Sequence, residues 1–156
     1  VRVPVSERIG SEGSGFVTVM RNFQTERLAL AAYGAATAQI ALEEAIAYAR
    51  ERKAFGKPLT GFQVTRHKLA DMSTQVLAAR TLVYQVAQRM AAGQEVVAEV
   101  SMAKNFTAET AVNVTYQAVQ LHGGMGYMRE SVVERLRRDP RAVRRLGREE
   151  ARASVG

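Results

Sequence analysis

The chain contains no cysteine and only two histidines among its 156 residues. A disulfide framework and a thiolate metal site are therefore excluded, and we expect no metal centre. No apolar run approaches the length of a membrane span, and no signal-peptide pattern opens the sequence. There is also no phosphate loop of the Walker type and no nucleophile with an adjacent base. These absences lead us to expect a cytoplasmic protein, or one of the mitochondrial matrix in a eukaryote, without a membrane partner.

Cations exceed acids along the chain, and the formal net charge is +7. Nine arginines against five acids leave a net +4 over residues 129–152, so more than half of the excess lies in the last part of the sequence. Basic proteins often bind nucleic acid. However, no basic motif is interleaved with aromatic residues here, so we interpret the stretch as a solvated helix face and expect no nucleic-acid partner.

Helical periodicity dominates the sequence. With 47% hydrophobic residues, a chain of this length buries one core. Apolar residues recur at three- and four-residue steps and predict helices over about 16–53, 62–90 and 95–121, with a fourth, more charged helix from about 131. The second helix is expected to place these side chains in the core: Leu69, Met72, Val76, Val83 and Val86. Long helices joined by short turns predict an all-α, up-down antiparallel four-helix bundle.

The first residues follow a different pattern. Residues 1–5 alternate apolar and polar side chains, as a short strand does, and residues 11–15 are rich in loop formers. We therefore divide the chain into a strand and loop over 1–13 and a helical domain over 14–156. The first residue is valine rather than methionine, so we expect a fragment or a processed chain.

Two segments at helix ends are the most informative feature. The first, at residues 51–59, places Arg52 and Phe55 at the end of one helix and Pro58 at the start of the next. The second, at residues 120–127, has three glycines in four positions after a helix. Arginine is a forked, permanently charged donor that suits phosphate, and glycine lets a ligand approach the backbone closely. We interpret both segments as contacts to a phosphate-bearing cofactor.

Together these two segments resemble the C-terminal helical domain of the acyl-CoA dehydrogenases, over about residues 1–144. The resemblance implies an enzyme that uses FAD to convert an acyl-CoA thioester to its trans-2-enoyl-CoA. It implies that an N-terminal helical domain and a β-domain, of which residues 1–13 would be the exit, lie outside this chain, which alone is expected to be inactive. It also implies a homo-oligomer, a dimer of dimers, and an electron-transfer flavoprotein or similar acceptor as partner.

The resemblance assigns roles to individual residues. The family places its catalytic glutamate either in a tail that reads aromatic-Glu-Gly-Thr or, in the isovaleryl and long-chain types, on the first helix directly before an arginine. Here Glu26 precedes Arg27, whereas the tail position falls on Gly147. Glu26 is therefore the expected base and Arg27 the expected substrate-binding residue. The positions that contact FAD in the family are matched by Arg52, Phe55, Gln63, Gln120, Gly123 and Gly124.

Structural alternatives stand beside these roles. Glu26 and Arg27 form a surface ion pair in one of them, and Phe55 packs at a helix turn in another. His122 resembles a scaffold position. After residue 144 the family pattern ends, and divergence, an altered reading frame and truncation all remain open. For the whole chain, the alternative function is a non-catalytic helical bundle that acts as an assembly or nucleic-acid-binding module.

Overall fold

The structure is a computed structural model that describes residues 2–138. Three long helices dominate it: α1 (Gly15–Glu51), α2 (Gln63–Ala91) and α3 (Val97–His122). Helical residues begin again at 132 and continue to 138, where the described range ends. Short connections make successive helices antiparallel neighbours, so the predicted all-α bundle is confirmed. Each limit of the three long helices lies within two residues of the predicted one.

The core consists of two apolar clusters stacked along the bundle. In the first, Ala38, Ala41 and Ala45 of α1 pack with residues of α2 and α3 and with Val133 of the fourth helix. In the second, Ala31 and Ala35 of α1 pack with the later turns of α2 and the first turns of α3. The predicted core side chains Met72, Val76, Val83 and Val86 are buried, and Leu69 is half-buried against the first cluster.

Small side chains let α1 and α3 approach each other closely. Gly34 is buried, and a Cβ atom at this position would lie 3.2 Å from the backbone carbonyl of Thr107. The alanines of α1 lie on the same buried face as Gly34. The two helices therefore run in contact along most of α3, which brings the end of α1 beside the end of α3.

A small hairpin connects α1 to α2. Its strands β1 (Lys53–Ala54) and β2 (Lys57–Pro58) pair antiparallel, and a short 3-10 turn at Leu59–Gly61 leads into α2. The two residues at its tip, Phe55 and Gly56, have φ of +50° and +80°, as a type I′ turn requires. These strands could not be predicted from the sequence, because two residues are too few to show an alternating pattern.

The strand predicted at the start of the chain is absent from the described residues. Residues 2–4 have no regular structure, and Val5–Glu7 form one 3-10 turn. A strand is stabilised by pairing with another strand, and within residues 2–138 none lies against this segment. The domain limit at residues 13/14 stays a prediction, and the tail position at Gly147 lies outside the described residues. No helix within the described range is long and apolar enough to cross a membrane.

Candidate cofactor site

The ends of α1 and α3 enclose an open groove of about 680 Å³ at one end of the bundle. Tyr48 in the last turn of α1 and Arg52 directly after that helix form one wall, and Leu59 lies beside them. The other wall consists of residues 120–125 and Met128. The groove thus brings together four of the six residues predicted to contact a cofactor, namely Arg52, Gln120, Gly123 and Gly124. Their roles stay predictions, but segments far apart in the sequence share one surface.

The glycines after α3 differ in what they do. Gly123 ends the helix with φ of +59°, a conformation that side chains rarely adopt. A Cβ atom on Gly126 would lie 2.6 Å from the carbonyl oxygen of Val119, so only glycine fits there. By contrast, no atom lies within 4 Å of a Cβ added to Gly123 or Gly124. The backbone of these two residues is therefore open to a ligand in the groove.

Arg52 is held in place by its backbone. It caps the end of α1, where its N–H donates to the carbonyl of Tyr48 at 2.9 Å. Its own carbonyl accepts a hydrogen bond from the N–H of Leu59 at 2.9 Å, across the hairpin. The residue is solvent-exposed, so its guanidinium provides a positive charge at the edge of the groove. Such a charge suits a phosphate group.

An aromatic stack lines the groove. The rings of Tyr48 and His122 lie 4.2 Å apart and are inclined by 23°. Nδ1 of His122 lies 2.8 Å from the carbonyl oxygen of Ala118. A scaffold role was predicted for His122, and no role was predicted for Tyr48. The helical spacing contained a signal, since Tyr48 lies one turn before Arg52 on the same helix.

Phe55 and Gln63 lie outside the groove. Phe55 at the hairpin tip is 95% exposed, and its ring meets the ring of Phe62 edge-on at 6.4 Å. Gln63 begins α2, and its Nε2 atom lies 3.5 Å from Nε2 of His67. Close packing of Phe55 at a helix turn, one of the alternatives above, does not occur. Any contact of these two side chains with a cofactor would be made outside this groove.

Glu26 lies far from the groove. It is exposed, and its carboxylate accepts a hydrogen bond from Nδ2 of Asn22 at 2.9 Å. The fully buried residues of α1 begin at Ala31, and Glu26 and Arg27 precede them on the helix. Along a straight helix, the 26 residue steps from Glu26 to Arg52 span about 39 Å. One chain therefore presents the two residues at sites that are well separated.

Comparison with known proteins gives a consistent result. Residues 13–147 match the family model of the acyl-CoA dehydrogenase C-terminal domain. The 3-(aryl)acrylate reductase of Clostridium sporogenes is 41% identical over 143 residues, which are 92% of this chain and 38% of that protein. The caffeyl-CoA reductase-Etf complex subunit CarC of Acetobacterium woodii is 43% identical over 90% of this chain and 37% of its own length. A probable acyl CoA dehydrogenase from Mycobacterium abscessus has a similar structure, with a TM-score of 0.87 and 48% identity over 99% of this chain and 43% of that chain.

Proposed function

Because the chain belongs to the acyl-CoA dehydrogenase family and carries its C-terminal helical domain, we propose that it contributes to an FAD-dependent oxidation of an acyl-CoA thioester to its trans-2-enoyl-CoA. The observation that carries the proposal is the groove. It unites the cation of Arg52 with the open backbone of Gly123 and Gly124. This arrangement fits a ligand that joins phosphates to flat, neutral groups. The chain spans about two fifths of the length of its relatives, so further domains complete the enzyme.

Different residues of the groove bind different parts of FAD. Arg52 binds the pyrophosphate through its forked, permanently charged donors. Gln120 and the backbone at Gly123 and Gly124 hold the adenosine end. Bound FAD supplies the acceptor for the hydride that leaves the β-carbon of the substrate. Phe55 and Gln63, which lie outside the groove, contact FAD from a neighbouring subunit.

Glu26 takes the proton from the α-carbon of the acyl group. A carboxylate has the basicity and the reach for this step when its surroundings are completed by the other domains. Arg27, the next residue on α1, binds and positions the substrate. Relatives of this chain are named both as dehydrogenases and as reductases, so the reaction is best followed in both directions.

The separation of Glu26 and Arg52 implies a homo-oligomer. About 39 Å of helix separates the two residues. The base and the phosphate-binding cation of one chain therefore serve two different flavins, and each site is shared between subunits. A dimer of dimers, as in the family, satisfies this requirement. An electron-transfer flavoprotein is the proposed redox partner, and the relative from Acetobacterium woodii is named as part of an Etf complex.

Replacement of Glu26 tests the proposal. The chain is joined to the preceding part of the Mycobacterium abscessus protein, to give a full-length chimera. In this chimera, Glu26→Gln should slow flavin bleaching by acyl-CoA under anaerobic conditions by about 10²–10⁴-fold, the usual contribution of a general base. Because the amide has nearly the shape of the carboxylate, FAD should remain bound, as its absorbance spectrum will show. Enoyl-CoA reduction should slow to a similar extent.

Glu43 offers a matched control. It is an exposed glutamate of the same helix and accepts a hydrogen bond from the side chain four residues earlier, Gln39, as Glu26 does from Asn22. Glu43→Gln should leave bleaching unchanged. Undiminished bleaching in the Glu26 variant would contradict its assignment as the base. Absence of FAD from the unmodified chimera would contradict the proposed function itself.

A further inference from the structure

Asn22 donates a hydrogen bond to the proposed base, Glu26. Its Nδ2 atom lies 2.9 Å from Oε1 of Glu26, which is one turn further along α1. A carboxylate oxygen only accepts hydrogen bonds, so the amide nitrogen of Asn22, and not its amide oxygen, faces Glu26. Residues four apart on a helix lie on the same side, so the spacing of the two residues sets this contact. The function proposed above gives Asn22 no role.

Helix formation alone does not explain an asparagine at this position. Asn22 lies inside α1, well after its first turn. Asparagine favours helix ends, where its side chain bonds to the backbone, and it is a poor helix former elsewhere. In α1 its side chain donates to a carboxylate instead. Its contact with Glu26 is therefore the feature that the structure offers as its use.

This hydrogen bond distinguishes the two oxygens of the Glu26 carboxylate. Oε1 accepts from Asn22, which leaves Oε2 to take a proton. A glutamate side chain has much rotamer freedom, and this freedom is lost when the carboxylate is directed at a substrate. A bond at Oε1 supplies part of that order before the substrate arrives. A protonated carboxyl group still has an acceptor oxygen, so the bond persists after the proton has moved to Oε2.

We propose that Asn22 positions Glu26 for abstraction of the α-proton of the acyl-CoA. The proton moves to Oε2 of Glu26. The electron pair of the C–H bond stays with the acyl group and forms the new double bond as hydride leaves the β-carbon for FAD. Asn22 is a positioning residue in this step, since it acts through Glu26. The inference rests on the proposed role of Glu26 as the base.

Flavin bleaching in the full-length chimera tests this role. Leucine has nearly the size of asparagine but no donor, so Asn22→Leu should lower the maximal rate of bleaching by about ten- to hundredfold, as misplacement of a reacting group does. The acyl-CoA concentration that gives half of the maximal rate should not change, because the contacts that bind the substrate remain. The absorbance of bound FAD should also stay the same. The loss should be smaller than in Glu26→Gln, which lacks the base altogether.

Two further variants separate the donor from the shape of the side chain. Asn22→Gln keeps a donor that can reach a glutamate four residues later, as Gln39 reaches Oε1 of Glu43 at 2.6 Å, and it should retain most of the rate. Asn22→Asp keeps the shape but replaces the donor with a second negative charge, so it should lose at least as much as Asn22→Leu. This pair serves if the leucine variant does not fold. As a matched control, Gln39→Leu removes the same kind of hydrogen bond from Glu43 and should leave bleaching unchanged.

A double variant distinguishes positioning from packing. If Asn22 acts through Glu26, Asn22→Leu should cause no further loss in a chimera that already carries Glu26→Gln. An equal loss in both backgrounds would make Asn22 a packing residue and overturn the inference. So would an unchanged rate in Asn22→Leu and Asn22→Asp while Glu26→Gln is slow. The proposed function fails by different results, namely undiminished bleaching in Glu26→Gln or absence of FAD from the unmodified chimera.

Discussion

At the scale of single residues, neighbouring glycines in one segment meet different requirements. Gly126 is buried against the backbone of Val119, so its lack of a side chain is a packing requirement. Gly124 has open space where its Cβ would be, so the fold places no such demand on it. The sequence shows three glycines in four positions. The surroundings of each glycine in the fold distinguish one that packing requires from one that leaves room for a ligand.

Two alanine substitutions should make this difference measurable. Gly126→Ala forces a Cβ atom to within 2.6 Å of a carbonyl oxygen, and we expect a loss of about 1–3 kcal/mol in the free energy of unfolding, as for other overpacked sites. Gly124→Ala should keep the stability of the unmodified protein and weaken FAD binding, because the methyl group projects into the groove. Urea denaturation and flavin titration measure the two effects. Equal stability of the two variants would contradict the distinction.

At the scale of elements, the start of α3 is stabilised without a capping side chain. Its N-cap residue, Val96, forms no side-chain cap. Glu99, in the first turn, instead accepts a backbone hydrogen bond and a hydrogen bond from Nη1 of Arg89 at 2.6 Å, which ties α3 to the last turn of α2. These hydrogen bonds, the backbone one first, lower the pKa of Glu99 below its ordinary value of 4.5. A negative charge near a helix N-terminus also interacts favourably with the positive end of the helix dipole.

The lowered pKa of Glu99 predicts a pH-dependent contribution to stability. A carboxylate whose pKa is lower in the folded state stabilises the protein fully above pH 4.5, and the contribution is lost as the pH falls through the folded-state value. Glu99→Gln should therefore lower the melting temperature at pH 7, and the difference from the unmodified protein should shrink below pH 4.5. Glu95→Gln, two residues before α3, is the control and should show no such trend. A constant difference at all pH values would contradict the role of ionised Glu99.

At the scale of the whole molecule, features that depend on neighbouring residues could be predicted from the sequence, whereas contacts between distant segments could not. The three long helices were predictable because burial of one face imposes a period on many residues, such as Met72, Val76 and Val83. The groove was partly predictable, because Arg52 and the glycines after α3 have distinctive chemistry. The Tyr48–His122 stack depends on how closely α1 and α3 pack, and it could not be derived from either segment alone.

The separation between Glu26 and Arg52 leads to a prediction about assembly. If Glu26 and Arg52 of one chain serve different sites, two defective chains should complement each other. In a mixed dimer of Glu26→Gln and Arg52→Ala chimeras, one site receives both defects and the other receives neither. With random pairing, about half of the dimers contain one chain of each variant, and each of these mixed dimers has one intact site out of two. The mixture should then show about a quarter of the wild-type activity, as two-fold symmetry requires. Each variant alone should be inactive at limiting FAD. Glu26→Gln removes the base from every site, and Arg52→Ala removes the charge that binds phosphate.

A chain with both substitutions provides the control for this complementation. When the double variant pairs with an unmodified chain, one site lacks its base and the other site lacks its cation. Both sites of such a mixed dimer should therefore be inactive. Activity should then come only from dimers of two unmodified chains. If the single variants show no recovery on mixing although mixed oligomers form, as tagged purification would show, then Glu26 and Arg52 act at the same site. We expect recovery instead, because a rise of about 1.5 Å per residue puts about 39 Å of helix between them.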